Sequence, residues 1–200
     1  MTVIRLLLLC GALALTGCAG GGTAPSLFKL DSDYAAPTTS PTTAAPVLAV
    51  ETVTVAPYLD ESGIVYQTAA HRVVIANNNR WASPLAVQLT DTLSMALQRR
   101  LTGVDIRRTG SRHGQAPAAQ LIVHVDEFLG HYDGTAHIAG QWQLLDAAGK
   151  QIAGRGFRQR VILDDDGYAA LVSSLSRGWR KQAEIMAPRL KQAVDTLDTR

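Results

Sequence analysis

Several stretches of the chain alternate apolar and polar residues with a period of two and are rich in β-branched side chains. This pattern is typical of half-buried β-strands. We predict a hairpin that turns near Ala69-Ala70, and a later antiparallel meander that turns at Asp133-Gly134 and at Ala148-Gly149-Lys150. The predicted strands cover residues 47–55, 63–68, 71–76, 104–109, 120–130, 135–146 and 151–163, and residues 26–30 are a candidate for one more short strand.

Two other stretches place apolar residues every three or four positions, which predicts amphipathic helices. The first helix should begin with Ser83 as the N-cap and Pro84 as the first helical residue, and should end before Gly103. The second should follow the acidic residues 164–166, which favour a helix N-terminus, and Pro188 should kink or close it. The apolar positions are Leu85, Leu89, Leu93, Ala96, Leu97 and Leu101 in the first helix, and Tyr168, Leu171, Val172, Leu175, Trp179, Ala183, Met186 and Leu190 in the second.

A sheet of this kind must have one apolar face covered, and the two helical stripes are the cover that the sequence offers. We therefore assign both stripes to the core, with a partner-binding groove as the alternative. The predicted fold is a single α/β (α+β) domain over residues 47–200, with a mixed, mostly antiparallel sheet of about seven strands and two main amphipathic helices.

The N-terminus predicts export and a lipid anchor. Residues 1–17 combine one basic residue with an apolar run too short for a permanent membrane helix, as in a secretory signal peptide. The run ends in Leu15-Thr16-Gly17-Cys18, which matches a bacterial lipobox, so Cys18 should become the lipidated first residue; a chance cysteine is the alternative. Ala19, in place of aspartate, favours the outer membrane. Residues 18–46 are then an anchor and a flexible linker rich in Thr, Pro and Ala.

Composition excludes several kinds of chemistry. The only cysteines are Cys10 and Cys18, so the predicted mature chain has no thiol left for a disulfide, a thiol enzyme or a cysteine metal site. A formal charge of +2 does not favour nucleic acid as a partner. No Gly-x-Ser-x-Gly elbow is present, and we predict no catalytic residues.

The triplet Asn77-Asn78-Asn79 interrupts a β-branched run. Asparagine tolerates left-handed backbone conformations, so we predict a corner between the strand and the first helix, with Trp81 packed against the core. A corner accounts for one or two asparagines but not for three. A binding role therefore stays open beside it.

These residues belong to a longer pattern. Asn77-Asn78-Asn79-x-Trp81-Ala82-Ser83-Pro84-Leu85 is preceded by Tyr58-Leu59 and by Gly63-Ile64-Val65-Tyr66-Gln67. Glu127-Phe128-x-Gly130-x-Tyr132-Asp133-Gly134 follows later in the chain. In this order the pattern resembles the PqiC type of lipoprotein, in the family of auxiliary components of ABC-type transport systems, over nearly the whole mature chain.

The resemblance implies a binding role without catalysis and without a cofactor other than the lipid on Cys18. Such lipoproteins work at the outer membrane with a PqiB-like MCE-domain tunnel protein, and indirectly with a PqiA-like inner-membrane protein, in moving lipids and protecting the envelope. Phospholipid and a second copy of the chain are further candidate partners. A structural lipoprotein that binds peptidoglycan or an outer-membrane channel is the alternative, and a periplasmic hydrolase is a third. On the resemblance, the docking surface or oligomer contact comprises Tyr58, Leu59, Tyr66, Asn77, Asn78, Asn79 and Trp81.

Three polar clusters offer rival chemistry. Residues 124–137 hold three histidines and two aspartates, but no His-x-His or His-x-x-x-His pair fixes a ligand geometry, so we predict exposed strand histidines and no metal site. Residues 164–166 lack the spacing of a calcium loop and should be a solvated turn. Arg158 and Arg160 share a strand face that could meet lipid phosphates or an acidic tunnel rim, or simply protect a sheet edge.

Overall fold

The structure, a computed structural model, describes residues 24–31, 45–110 and 116–198. The predicted signal peptide and Cys18 lie outside the described residues, as does most of the predicted linker. Residues 26–30 belong to that linker, yet they contribute one strand and the buried Leu30 to the fold. The strands are β1 (Ser26–Phe28), β2 (Val47–Val50), β3 (Thr54–Val55), β4 (Gly63–Ala69), β5 (Arg72–Trp81), β6 (Asp105–Arg108), β7 (Ala119–His131), β8 (Thr135–Asp146) and β9 (Gln151–Ile162), and the helices are α1 (Leu85–Arg100), α2 (Tyr168–Asp198) and a short 3-10 helix (Pro57–Leu59).

β7 is the central strand of the sheet. β2, β3 and β4 pair with successive parts of one edge of β7 and run parallel to it. β8 pairs with the other edge of β7 in antiparallel orientation. β6 pairs with β2, β5 with β4, β1 with β5, and β9 with β8. The single domain with a mixed sheet and two helices confirms the predicted α+β class.

The predicted mixed sheet of about seven strands is confirmed as a mixed sheet, but it is not mostly antiparallel. The sheet has nine strands, and five of the eight described strand pairs are parallel. The predicted strand 47–55 is divided into β2 and β3, because the Val53 amide donates to Oγ1 of Thr90 in α1 at 2.9 Å instead of joining β7. Long crossovers, which alternation does not reveal, make β2, β3 and β4 parallel to β7.

Both helices cover the sheet, as their apolar stripes predicted. Leu89 and Leu93 of α1 and Leu175 and Leu190 of α2 are fully buried. Nε1 of Trp179 donates a hydrogen bond to the carbonyl of Leu89 at 3.1 Å and so joins the two helices inside the core. The core assignment of the stripes is therefore confirmed.

Three local boundaries differ from the prediction. The hairpin turn between β4 and β5 falls at residues 70 and 71, one position later than expected. Helix α1 begins at Leu85, with Pro84 as the cap residue at ψ 132° and no side-chain capping bond, so Ser83 is not the N-cap. Helix α2 continues ten residues past Pro188 to Asp198, so Pro188 does not close it.

Candidate partner-binding surface

The asparagine triplet lies inside strand β5 and not at a corner, so this prediction is wrong. Asn79 is in register with Ser26 of β1, whereas none of the three asparagines is in register with a residue of β4 in the described pairing. Between the pairs Val65–Ile75 and Gly63–Arg80, β4 advances by two residues and β5 by five, so β5 carries three extra residues. The asparagines form this bulge, which redirects the side chains that follow it.

The bulge turns Trp81 inward. Only 6% of Trp81 is exposed, and its ring lies 6.2 Å from Phe128, which in turn meets Trp179 edge-on at 6.3 Å. Leu59 is 1% exposed. The expectation that these two side chains line a docking surface is therefore corrected, because both are packed in the core.

The two tyrosines of the predicted surface hold the central strand in place. The Tyr58 hydroxyl donates to the carbonyl of Asp126 at 2.6 Å, and the Tyr66 hydroxyl donates to that of His131 at 2.9 Å. Burial, with the nearby charge of Glu127, raises the pKa of Tyr58 above its usual value. Both rings are half-buried, so each presents an edge for contact while its hydroxyl is already used.

The exposed part of the predicted surface is the outer strand of the β4–β5 hairpin. Asn77 and Asn78 are exposed, and next to them Val73, Val74 and Ile75 are 45%, 46% and 39% exposed. Consecutive strand residues point to opposite faces, so β5 is open to solvent on both faces over residues 73–75. We call these five residues the hairpin surface.

Sequence reasoning missed the three apolar members of the hairpin surface, because it took them for part of an ordinary half-buried strand. A signal was present: three apolar residues in succession depart from the alternation of a half-buried strand. The flanking Arg72 and Arg80 are also exposed. The surface is thus apolar at its centre and basic at its margins.

The turn between β7 and β8 gathers His131, Asp133 and His137. Nδ1 of His131 lies 2.8 Å from Oδ1 of Asp133, and the two histidine rings stack with centroids 4.2 Å apart. Hydrogen bonds from Thr135, and one from His131, lower the pKa of Asp133 to about 2. His137 is only 6% exposed, which corrects the expectation of exposed histidines.

The electrostatic surroundings of His137 disfavour its protonation. Burial is the largest cause of its lowered pKa, and the charge of His131 is the second. Arg160 acts in the same direction, whereas Asp133 and Glu127 oppose the shift.

Thr54, His124 and Asp126 form a chain of polar contacts on the sheet surface. Oγ1 of Thr54 lies 2.8 Å from Nδ1 of His124, whose Nε2 lies 3.3 Å from Asp126. In an acyl-hydrolase triad, Nε2 of the histidine faces the nucleophile and Nδ1 faces the carboxylate. Here Nδ1 faces the hydroxyl and Nε2 faces the carboxylate, so the order is reversed. All three side chains are open to solvent, with 59% of the Asp126 side chain exposed. Neither the order nor the exposure favours nucleophilic catalysis here.

The other two polar clusters noted in the sequence also make side-chain contacts. Arg158 pairs with Glu127 at 3.2 Å. Residues 164–166 are exposed and precede α2, as predicted, and Asp164 binds Arg177 at 2.7 Å. They line an open cleft of about 590 Å³ together with Tyr66 and Leu171.

Comparison with known proteins agrees with this architecture. A sequence model described as "ABC-type transport auxiliary lipoprotein component" matches residues 28–187. The chain belongs to this family of transport auxiliary lipoproteins. The family's relatives include the intermembrane transport lipoprotein PqiC of Escherichia coli (strain K12) and that of Shigella flexneri, each 37% identical over 183 residues, with 90% of this chain and 94% of the relative covered.

Solved structures show the same fold. A crystal structure of an uncharacterised protein shares 34% identity at a TM-score of 0.71, covering 84% of this chain and 99% of its own. A protein from Xanthomonas campestris, 16% identical, aligns with a TM-score of 0.70 over 88% of this chain and 99% of its own. Family membership makes the chain an intermembrane transport lipoprotein component associated with the cell envelope, and this family is not a family of enzymes. Within the described residues, neither helix is apolar enough over a sufficient length to cross a membrane.

Proposed function

We propose that the chain is an outer-membrane lipoprotein subunit of an intermembrane lipid-transport complex, and that it acts by docking an MCE-domain tunnel protein of the PqiB type. The observation that carries the proposal is the exposed, apolar hairpin surface in a chain of a transport auxiliary family. A PqiA-like inner-membrane protein is reached through the tunnel partner and is not contacted directly.

The hairpin surface has the chemistry of a protein contact. Contiguous exposed apolar side chains mark interaction sites, because water is released when a partner covers them. Val73, Val74 and Ile75 are β-branched and rigid, so little side-chain entropy is lost when they are ordered. With Arg72 and Arg80 at its margins, the surface fits an apolar socket with an acidic rim.

The anchor completes the proposed arrangement. Acyl chains on Cys18 would hold the domain beneath the outer membrane, because two or more acyl chains bind a bilayer stably. The domain would then present the hairpin to the end of a tunnel that approaches from the inner membrane. No cofactor besides this lipid takes part, and envelope integrity depends on the completed bridge.

Site-specific photo-crosslinking in cells tests the docking step. A benzophenone amino acid at Val74 should crosslink to the MCE-domain protein. The same amino acid at Ile185 of α2 is the matched control, because Ile185 is an apolar residue of similar exposure, 52% against 46%. Absence of a crosslink from Val74, or equal crosslinking from both positions, would contradict the proposal. Crosslinks from Val74 to peptidoglycan or to an outer-membrane channel would favour the structural alternative instead.

The anchor is tested separately. Radiolabelled palmitate should be incorporated into the chain and should fractionate with the outer membrane, and Cys18→Ser should abolish both. Labelling that persists in Cys18→Ser would place the lipid elsewhere and remove this part of the proposal.

A further inference from the structure

The β7–β8 turn fixes three potential metal ligands in one place. His131 ends β7, Asp133 lies in the turn and His137 is the third residue of β8. One ligand atom from each of these side chains lies within 4.8 Å of the others. The turn is tightened by Gly134 at φ +79°, whose amide donates to the carbonyl of His131.

The carboxylate of Asp133 is already oriented toward the histidines. Its Oδ1 accepts hydrogen bonds from the amide and the hydroxyl of Thr135 at 3.1 and 2.6 Å. Its Oδ2 faces Nε2 of His137 at a distance of 3.9 Å. Ligand atoms are about 3.3 Å apart in a tetrahedral zinc site with bonds of about 2.0–2.1 Å, so a contraction of about 0.6 Å would bring these two atoms to one ion.

His137 supplies the observation that points to a ligand. The residue is 94% buried, and its Nε2 is a buried atom without a hydrogen-bond partner among the described residues. A buried polar nitrogen left without a partner costs free energy, so such an atom calls for an explanation. A metal ion bound between Nε2 and the Asp133 carboxylate would satisfy it.

The other side of the His137 ring resembles the surroundings of known metal ligands. Nδ1 of His137 faces Oε2 of Glu127 at 3.7 Å, and this oxygen is also buried without a partner in the described structure. The second oxygen of Glu127 is held by Arg158 at 3.2 Å. Metal-bound histidines commonly donate their second N–H to such a carboxylate, which orients the ring.

We propose that His131, Asp133 and His137 bind a divalent transition-metal ion, with Glu127 as the group that orients His137. Imidazole nitrogen with one carboxylate suits Zn²⁺, Ni²⁺ or Cu²⁺, whereas Mg²⁺ and Ca²⁺ prefer oxygen ligands throughout. The stacked rings are inclined by only 11°, so the in-plane lone pairs of both cannot meet at one ion. His131 must therefore turn about its Cβ–Cγ bond on binding.

Zinc binding to the full-length lipoprotein in detergent tests the site, with the protein purified by an affinity tag that contains no histidine. Equilibrium dialysis should show one Zn²⁺ bound per chain and no comparable binding of Mg²⁺. His131→Gln and Asp133→Asn should each weaken Zn²⁺ binding at least tenfold, and Glu127→Gln should weaken it by about 10–100-fold. Co²⁺ substitution should give visible absorption bands that disappear in the same variants.

His124 and Asp126 provide the matched control. They are a second histidine–aspartate pair, both in β7 and with Nε2 of His124 3.3 Å from Oδ1 of Asp126, and no third ligand joins them among the described residues. His124→Gln with Asp126→Asn should leave Zn²⁺ affinity unchanged. Circular dichroism in the presence of a chelator checks that each variant is folded; Asp133 is exposed, so Asp133→Asn carries the test if His131→Gln does not fold.

Three results would overturn the proposal: no stoichiometric Zn²⁺ on the wild-type chain, full affinity in a folded Asp133→Asn variant, or equal loss in the His124 and Asp126 control. None of them bears on the crosslinking from the hairpin surface, so the metal site and the docking function stand or fall separately.

Discussion

Helix α2 lies so close to the sheet at Gly178 that a single added methyl group should be measurable. A Cβ at this position would lie 2.3 Å from Cδ1 of Ile138 in β8 and 3.0 Å from Cγ2 of Val161 in β9. Ile138 is fully buried, so its side chain has little room to move away. We predict that Gly178→Ala destabilises the domain and that Ile138→Val, which removes the obstructing Cδ1, rescues it.

The expected magnitude follows from two opposing effects. Overpacking of a core costs about 1–3 kcal/mol, while replacing glycine by alanine inside a helix returns about 0.8–1.0 kcal/mol. Gly178→Ala should therefore cost about 1 kcal/mol in the free energy of unfolding. Ile138→Val alone should cost about 0.5–1.5 kcal/mol. In the double variant the new methyl group fills the space vacated by Cδ1, and a swap that conserves buried volume costs less than about 1.5 kcal/mol. The gain of about 0.8–1.0 kcal/mol in helix propensity offsets most of this cost, so stability should return to within about 0.5 kcal/mol of the wild type.

Urea denaturation of the unlipidated Cys18→Ser chain, followed by far-ultraviolet circular dichroism, measures all four members of this double-mutant cycle. The decisive quantity is the coupling free energy, which should be about 1.5–2.5 kcal/mol in the stabilising direction. Strictly additive costs would show that the methyl group does not meet Ile138, and the close approach of α2 to β8 would then be wrong.

Three further predictions concern Trp81, the hairpin surface and His137. Trp81→Ala should lower the free energy of unfolding by about 3–5 kcal/mol, because a large buried ring is removed. A cost below about 1 kcal/mol in the same urea denaturation assay would show that Trp81 is not packed in the core. Val74→Ser should keep the free energy of unfolding within about 0.5 kcal/mol of the wild type, but it should reduce the amount of MCE-domain protein that the purified chain binds in a pull-down. Unchanged binding would contradict the role of the hairpin surface in docking. The lowered pKa of His137 means that this residue binds a proton more readily in the unfolded chain than in the folded one. The free energy of unfolding should therefore be fully retained above about pH 6.5 and should fall as the pH drops below it. In the presence of a chelator, His137→Gln should remove the contribution of this residue to the pH dependence.

The sequence pattern predicts the elements better than their arrangement. The helical stripes and the β7–β8–β9 meander depend on local periodicity and tight turns, and both were predicted. The parallel pairing of β2, β3 and β4 with β7 depends on crossovers between residues far apart in the chain, and no local pattern encodes it. The break between β2 and β3 depends on one hydrogen bond from Val53 to Thr90, which becomes visible only after α1 is packed.

The candidate surface shows the same division. The residues of the Asn/Trp motif were found, and packing of Trp81 against the core was one of the two expectations for it. The motif does not reveal the three-residue bulge that leaves Asn77 and Asn78 outside. The spacing of the histidines along the chain is irregular, so the sequence predicts no metal site there. The register of the hairpin brings them together, and spacing alone could not show that.

The central position of β7 also governs the order in which the chain can fold. β2, β3 and β4 can pair with β7 only after residues 121, 125 and 131, respectively, have been synthesised, because they pair with successive parts of that strand. Domains with such distant contacts fold slowly, since the entropy of closing long loops must be lost before the contacts form. The β4–β5 hairpin and the β2–β6 pair can form earlier, but neither can join the central strand until the carboxy-terminal half is being made. Because β8 and β9 follow β7 along the chain, the sheet is completed only after residue 162 has been synthesised.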